Sequence, residues 1–296
     1  MRVAEQRQKP APFAKLSQMG HDERWKAEQE FFDAEEYSLG PVPANTIERY
    51  TLCRKPFLPA EYPFWILGDV GGKRILELGS GDGGKSVLLA LKGASVCGID
   101  ISPRAIEIAT RRARMHGVGD RAAFYALPLE SYVGQTEEKF DIICGFAILH
   151  HLLPVLDELM IQLKRLAHPQ TAFLFAEPVS MSRPLRRLRL ALPFKTHATP
   201  GERPLEPRDL AILRRHLPSL QVEYFGLALR VWDRFLPGRY EEFSPLRRMI
   251  FDACGRFDRA LLSFRGTRAL ASSAVLYAPS ATSGSPGDGC GAPVKP

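Results

Sequence analysis

No apolar run in this chain is long enough to cross a bilayer, which excludes a helical membrane span. The opening stretch, Met1 to Pro12, is polar and lacks the apolar core of a secretory signal, so no signal peptide is expected. Cysteine is scarce. The five present (Cys53, Cys97, Cys144, Cys254 and Cys290) show no C-x-x-C spacing. That argues against a zinc or disulfide framework and for free thiols in a reducing compartment. No internal repeat is visible. These absences together predict a cytoplasmic protein with an ordinary apolar core.

Positive charge is in surplus, but unevenly. The formal net charge is +7. Met181 to Arg268 holds 18 Lys and Arg against 9 Asp and Glu, so this stretch carries 18 − 9 = +9 and the remainder 7 − 9 = −2. A basic, apolar-rich segment can face anionic lipid, nucleic acid or an acidic substrate. Equally, it can be a solvated face whose arginine stems cover apolar surface.

The most informative stretch is Ile75 to Gly84, I-L-E-L-G-S-G-D-G-G. Arg74 to Leu78 reads as a buried parallel strand, followed by a glycine turn into an apolar helix. Glycine suits a backbone that turns sharply and approaches a ligand closely. A second strand, Ala94 to Ile99, ends at Asp100, whose carboxylate can accept both hydroxyls of a ribose. Strand, glycine turn, helix, strand and acid form a nucleoside-binding half of a doubly wound sheet. Gly79-x-Gly81-x-x-Gly84 also matches the dinucleotide fingerprint, though alone that is a weak signal. Glu77 argues the other way: at the strand's end it would repel a pyrophosphate and suit a cationic ligand such as the amino group of a methionine moiety.

With that acid before Gly79, Gly81 and Gly83, the segment resembles the class I (Rossmann-like) S-adenosylmethionine-dependent methyltransferases. Phe140 to Leu152 (F-D-I-I-C-G-F-A-I-L-H-H-L) is similar to that family's fourth strand and following turn. The resemblance covers Gly72 to Val179. It implies a doubly wound, mostly parallel seven-stranded sheet with helices on both faces, an N-terminal helical lid and C-terminal helical insertions. Strands are expected at 74–78, 95–99, 122–125, 140–145, 172–177, 221–227 and 272–277, the last antiparallel. Helices are expected at 22–37, 45–54, 62–70, 84–92, 102–115, 153–167 and 207–217. The chain then divides into a tail and lid (1–70), a cofactor-binding core (71–180), a C-terminal half with basic amphipathic insertions at Leu185–Leu192 and Leu246–Phe264 (181–278), and a disordered Gly/Ser/Pro-rich tail (279–296).

By the same resemblance, Glu77, Gly79, Gly81 and Gly83 form the S-adenosylmethionine loop. Asp100 would hold the ribose and Ile101 the adenine face. The family often has an Asp after the third strand, which Tyr125 to Glu130 does not offer. The Leu129 backbone or the Glu130 carboxylate could substitute, and Glu130 could equally be a surface residue. Cys144 and Phe146 fall where the methionine moiety would lie. His150 or His151 could be a general base or a packed structural residue. Tyr37, Trp65 and Glu177 are candidates for the substrate pocket, with Phe31 and Phe32 beside them on the lid. Metal-assisted relatives carry Glu-x-x-Glu-His where this chain has Ala147 to His151, so no metal is expected. The Asn/Asp-Pro-Pro-Tyr signature of nucleobase methylation is also absent, and no nucleic-acid partner is expected. The best reading is methylation of an O, N or C atom on a small apolar metabolite, with peripheral contact to anionic membrane through the basic insertions. An RNA or protein methyltransferase, an NAD-dependent oxidoreductase and a non-catalytic S-adenosylmethionine-binding protein stay open.

Overall fold

The computed structural model describes residues 26, 29–34, 39–51, 56, 58–182, 184, 203–229, 232 and 240–280. Its elements in chain order are α1 Ala44–Tyr50, α2 Tyr62–Leu67, β1 Arg74–Leu78, α3 Gly84–Leu91, β2 Ser95–Asp100, α4 Pro103–Met115, β3 Ala122–Ala126, α5 Leu129–Gln135, β4 Phe140–Phe146, α6 Leu156–Arg165, β5 Ala167–Pro178, α7 Pro207–His216, β6 Gln221–Phe225, α8 Pro245–Leu262 and β7 Ser273–Ala278. The sheet has seven strands in the order β3-β2-β1-β4-β5-β7-β6. All pairs are parallel except those of β7, which runs antiparallel to both β5 and β6.

The pleat divides the apolar residues between two cores, since successive side chains in a strand point to opposite faces. Leu76 and Leu78 of β1, Ile143 of β4 and Leu276 of β7 join one core with α6 and α7. Ile75, Ile142, Cys144 and Val275 join the other with α1, α2 and α3. Strands buried on both faces read as continuous apolar runs, which is why I-L-E-L and D-I-I-C were legible.

Local starts and stops follow ordinary chemistry. Ser102 Oγ accepts from Ala105 N at 3.0 Å and Pro103 opens α4, as its cap-and-proline pattern predicts. The structure also departs from expectation. α2 ends at Leu67 because Gly68 takes φ 64°. The helix expected at 153–167 begins as a 3-10 turn, Leu153–Val155, around Pro154, and its α-helical part stops at Arg165. β5 starts five residues early, at Ala167, through a bulge. Ala167 pairs with Phe140 but Ala172 with Ile142, and the Thr171 hydroxyl donates to Phe140 O at 2.6 Å across the irregularity. The stretch at Leu129–Gln135 is a helix that the sequence reading left unassigned. Leu185–Leu192 and most of the expected first helix lie outside the described residues.

Candidate functional site

β1 and β4 are neighbours, and the chain leaves their carboxyl ends in two loops that face each other. In an open α/β sheet the crevice between such loops is where ligands bind. Gly79, Gly81 and Gly83 all have positive φ, at 62°, 50° and 74°, but their roles differ. A Cβ on Gly79 would lie 2.7 Å from Ile148 Cδ1 in the opposite loop. One on Gly83 would lie 2.6 Å from Ala109 Cβ of α4. One on Gly81 would meet only open space. Gly79 therefore allows the two loops to meet, Gly83 allows α3 to pack on α4, and Gly81 faces a cavity.

Asp100, at the end of β2, closes this arrangement. Its Oδ2 accepts from Gly81 N and its Oδ1 from Ser102 N, both at 2.9 Å. Burial pushes its carboxyl above the usual range, and the backbone N–H groups of Ser102, Gly81 and Ile101 pull it back down. A carboxylate offers about four lone-pair sites, so one acceptor site on each oxygen remains after these two bonds.

The cavity has a volume of about 260 Å³. Eight sequence candidates line it: Gly79, Gly81, Asp100, Ile101, Leu129, Glu130, Phe146 and His151. Leu127, Pro128, Ala147 and Ile148 complete the apolar wall, and Phe32 closes it from the N-terminal side. Phe32 packs edge-on against His151 with ring centroids 5.5 Å apart. Its neighbour Asp33 is tied down by the Ser102 hydroxyl and, through its carbonyl, by Arg104 Nη1 at 2.9 Å.

Four candidates stand outside this wall. Gly83 serves helix packing, as above. Cys144 is fully buried in the core, and burial drives its thiol pKa well up. Glu77 is also buried, beneath the start of α3, where the Ser86 hydroxyl donates to its Oε2. Burial raises its carboxyl to about 8. The cause is the pleat: Glu77 pairs in register with Cys144 and Gly98, inside the sheet and behind the loop. Its carboxylate is engaged by Ser86 rather than lining the cavity. His150 is the fourth. Its Nδ1 lies 2.9 Å from Glu177 Oε2, behind the cavity wall.

Glu177 is more deeply engaged than sequence reasoning assumed. It is buried, and its Oε1 accepts from Ile148 N at 2.9 Å and Leu149 N at 2.8 Å. Its Oε2 accepts from His150 N at 3.4 Å. One carboxylate thus holds the turn after β4. The turn is strained at Ala147, a non-glycine residue with φ 57°. The signal was available: β4 and β5 pair Phe146 with Ala176, so residue 177 must lie beside the turn.

A second cavity, of about 400 Å³, lies on the other side of this turn. Pro59, Ala60, Pro63, Lys85, Pro178, Leu229 and Ser272 to Val275 contribute to its lining. Phe146 and Ala147 line both cavities. Lys85 Nζ donates to Tyr50 Oη at 3.1 Å and sits 4.4 Å from the centroid of that ring. Glu177 also borders this second cavity. Trp65 borders neither; it packs on Tyr62 with centroids 5.3 Å apart. Tyr37 lies outside the described residues. Among the described residues, no cluster of three or more His, Cys, Asp or Glu could hold a metal ion.

Comparison with known proteins agrees with this geometry. Residues 69–199 match the family model of a methyltransferase domain. The ubiquinone biosynthesis O-methyltransferase of Bordetella pertussis is 32% identical over 93 residues, covering 30% of this chain and 37% of that protein. The chain therefore spans well under two thirds of this curated relative. A geranyl diphosphate C-methyltransferase from Streptomyces coelicolor A3(2), solved with Mg2+, geranyl diphosphate and S-adenosyl-L-homocysteine, superimposes with a TM-score of 0.53 at 12% identity. That match covers 86% of this chain and 97% of the other. A SAM-dependent methyltransferase from Archaeoglobus fulgidus superimposes with a TM-score of 0.50 at 15% identity, over 75% and 92% of the two chains. Fold and matched region together define a class I, Rossmann-like methyltransferase domain. Within that matched region the chain is similar to S-adenosylmethionine-dependent methyltransferases.

Proposed function

We propose that this protein transfers a methyl group from S-adenosylmethionine to an O, N or C atom of a small, apolar metabolite: a quinone precursor, a lipid or a polyketide-like compound. The observation that carries the reading is the pair of cavities sharing one thin wall, Phe146 and Ala147. The first suits an adenosyl group. Asp100 keeps acceptor sites for ribose hydroxyls, Ile101, Leu127 and Leu129 supply apolar walls, and the missing Cβ of Gly81 leaves room. The second, largely apolar with Lys85, Glu177 and two serines at its wall, suits the acceptor. The name of the Bordetella relative favours oxygen as the acceptor atom.

When bound, S-adenosylmethionine supplies a methyl on a sulfonium centre. The chain's own residues supply alignment, which can account for much of the rate in such a transfer. Glu177 and His150 hold the turn, Phe146 and Ala147 set the separation of the two ligands, and Phe32 with His151 closes the cofactor side. We assign His150 and His151 as positioning residues rather than proton carriers, because His150 is engaged with Glu177 and His151 faces the first cavity, not the second. The three free cysteines among the described residues, Cys97, Cys144 and Cys254, fit a cytoplasmic setting. The basic C-terminal segment fits peripheral contact with anionic membrane. Calorimetric titration should give micromolar affinity for S-adenosylmethionine and its demethylated product, with turnover on a catechol or polyhydroxylated aromatic panel. Tighter binding of NAD than of S-adenosylmethionine would overturn the assignment.

A further inference from the structure

The helix α8 carries an apolar stripe on its outer side. Leu246, Met249, Ile250 and Phe257 are 63%, 62%, 43% and 56% exposed, and Phe264, two residues past the helix end, is 68% exposed. The spacing of the four helical residues places them along one side of the helix. Scattered exposed apolar residues are ordinary, but four aligned on one helix mark an interaction surface. The helix also contains four arginines (247, 248, 256 and 259), and Arg265 follows it.

Its two acids are committed elsewhere. Asp258 is buried and accepts from Leu227 N at 2.9 Å, Ala228 N at 2.6 Å and Leu229 N at 3.0 Å. Asp252 accepts from Tyr240 Oη at 3.0 Å. Asp252 still shares its side of the helix with Arg248 and Arg256, and the exposed Arg256 and Arg265 leave the border of the stripe net positive. An apolar stripe with cationic borders is the pattern of helices that lie in a lipid interface.

We propose that the outer face of α8 docks on an anionic lipid bilayer, with Met249 and Phe257 entering the interface and Arg256 and Arg265 meeting lipid phosphates. The inner face gives this docking a consequence. Asp258 grips the backbone of 227–229, and Gly226 and Leu229 line the second cavity. Arg259, on the same turn, pairs with Glu223 of β6 at 2.9 Å. The docking helix and the wall of the second cavity are thus one rigid connection, which would set that cavity close to the lipid from which an apolar acceptor must come.

The test uses the full chain with phosphatidylcholine vesicles, with and without phosphatidylglycerol, in a co-sedimentation assay. Wild-type protein should pellet with the anionic vesicles at low salt and be released at high salt, because electrostatic attachment is screened. Met249→Glu with Phe257→Glu should reduce pelleting at least tenfold while leaving the far-ultraviolet spectrum and the S-adenosylmethionine affinity intact. Arg256→Gln with Arg265→Gln should shift the release to lower salt. Failure of wild type to bind anionic vesicles at low salt would overturn the proposal, as would binding indifferent to both sets of substitutions. A wild-type dimer that Phe257→Glu converts to monomer would show that the face is covered by a second copy instead. None of these outcomes depends on methyl transfer, so failure here leaves the catalytic reading untouched.

Discussion

Removing the Glu177 side chain should unfasten the turn that separates the two cavities. Glu177→Ala leaves the N–H groups of Ile148 and Leu149, and the more distant one of His150, without their acceptor, and strips His150 Nδ1 of its partner. Each buried donor left unsatisfied costs about 1–3 kcal/mol. Some will be recovered by relaxation or entering water, so a net loss of about 3–5 kcal/mol is expected, the scale of two or three buried donors left unsatisfied. That is a large share of the 5–15 kcal/mol typical of a folded domain. Glu177→Gln keeps one carbonyl oxygen for Ile148 and Leu149 and should lose only about 1–2 kcal/mol, the scale of a single hydrogen bond. Urea unfolding followed by fluorescence measures both, with an unchanged m-value showing that stability alone has moved. In the Gln variant, affinity for S-adenosylmethionine should fall in proportion to the fraction of molecules whose turn is displaced. A Glu177→Ala protein within about 1 kcal/mol of wild type would refute the account, because the turn would then be held by something other than this carboxylate.

Glu77 makes a prediction of opposite sign. Its carboxyl is raised by burial from 4.5 to about 8, so between those values the folded protein binds a proton that the unfolded chain does not. Its contribution to stability is therefore fully present below about pH 4.5 and lost as pH rises through 8. Glu77→Gln, which can still accept from Ser86, should flatten that slope and leave the variant more stable than wild type at pH 8.5, by about 1–3 kcal/mol; parallel urea midpoints for the two proteins from pH 5 to 8.5 would contradict it. Gly83→Ala should cost about 1–3 kcal/mol in thermal unfolding, through both its left-handed φ and its contact with Ala109. Gly81→Ala shares the left-handed φ but meets no such contact, so it should cost less stability than Gly83→Ala and also weaken S-adenosylmethionine binding; equal stability losses for the two would be the wrong result. Asp100→Ala should weaken that affinity by about 1.5–3 kcal/mol, the scale of hydrogen bonds to a charged group; an unchanged calorimetric constant in a folded variant would place the ribose elsewhere. Turnover should be indifferent to chelation, since Ala147 and His150 stand where metal-assisted relatives have acids. Activity lost to a chelator and restored by magnesium would count against this.

The parts of the fold that were legible are those where a short chemical rule acts alone. The β1 run, the glycine turn, the Ser102-Pro103 helix start and the acid at Asp100 each follow from local pattern, and each stands where that pattern places it. What was not legible depends on a partner distant in sequence. Glu77 reads as an acid at a strand's end beside a ligand loop. Only the register with Cys144 and the packing of Ser86 show that it points into the core. The bulge that starts β5 early depends on Thr171 reaching Phe140, a contact across 31 positions. Leu129–Gln135 is short, and its apolar residues turn inward only because Tyr132 finds Phe140 and Cys97.

The same long-range logic accounts for the position of the site itself. Ile148 packs against two glycines, one from each adjacent strand end: a Cβ on Gly79 would lie 2.7 Å from its Cδ1, and one on Gly145 2.5 Å from its Cγ2. Its backbone N–H is held by Glu177, from the third strand in the row. The wall between the cavities is therefore positioned by β1, β4 and β5 together rather than by either loop alone. A substitution at Gly79 or Gly145 acts at the acceptor side as well as the cofactor side, because it must move Ile148 and with it Ala147 and Phe146. Alignment in this protein is thus a property of the strand order, built where that order reverses between the parallel neighbours β1 and β4. That is why the residues that touch the cavities are less diagnostic than the buried ones that fix their backbone.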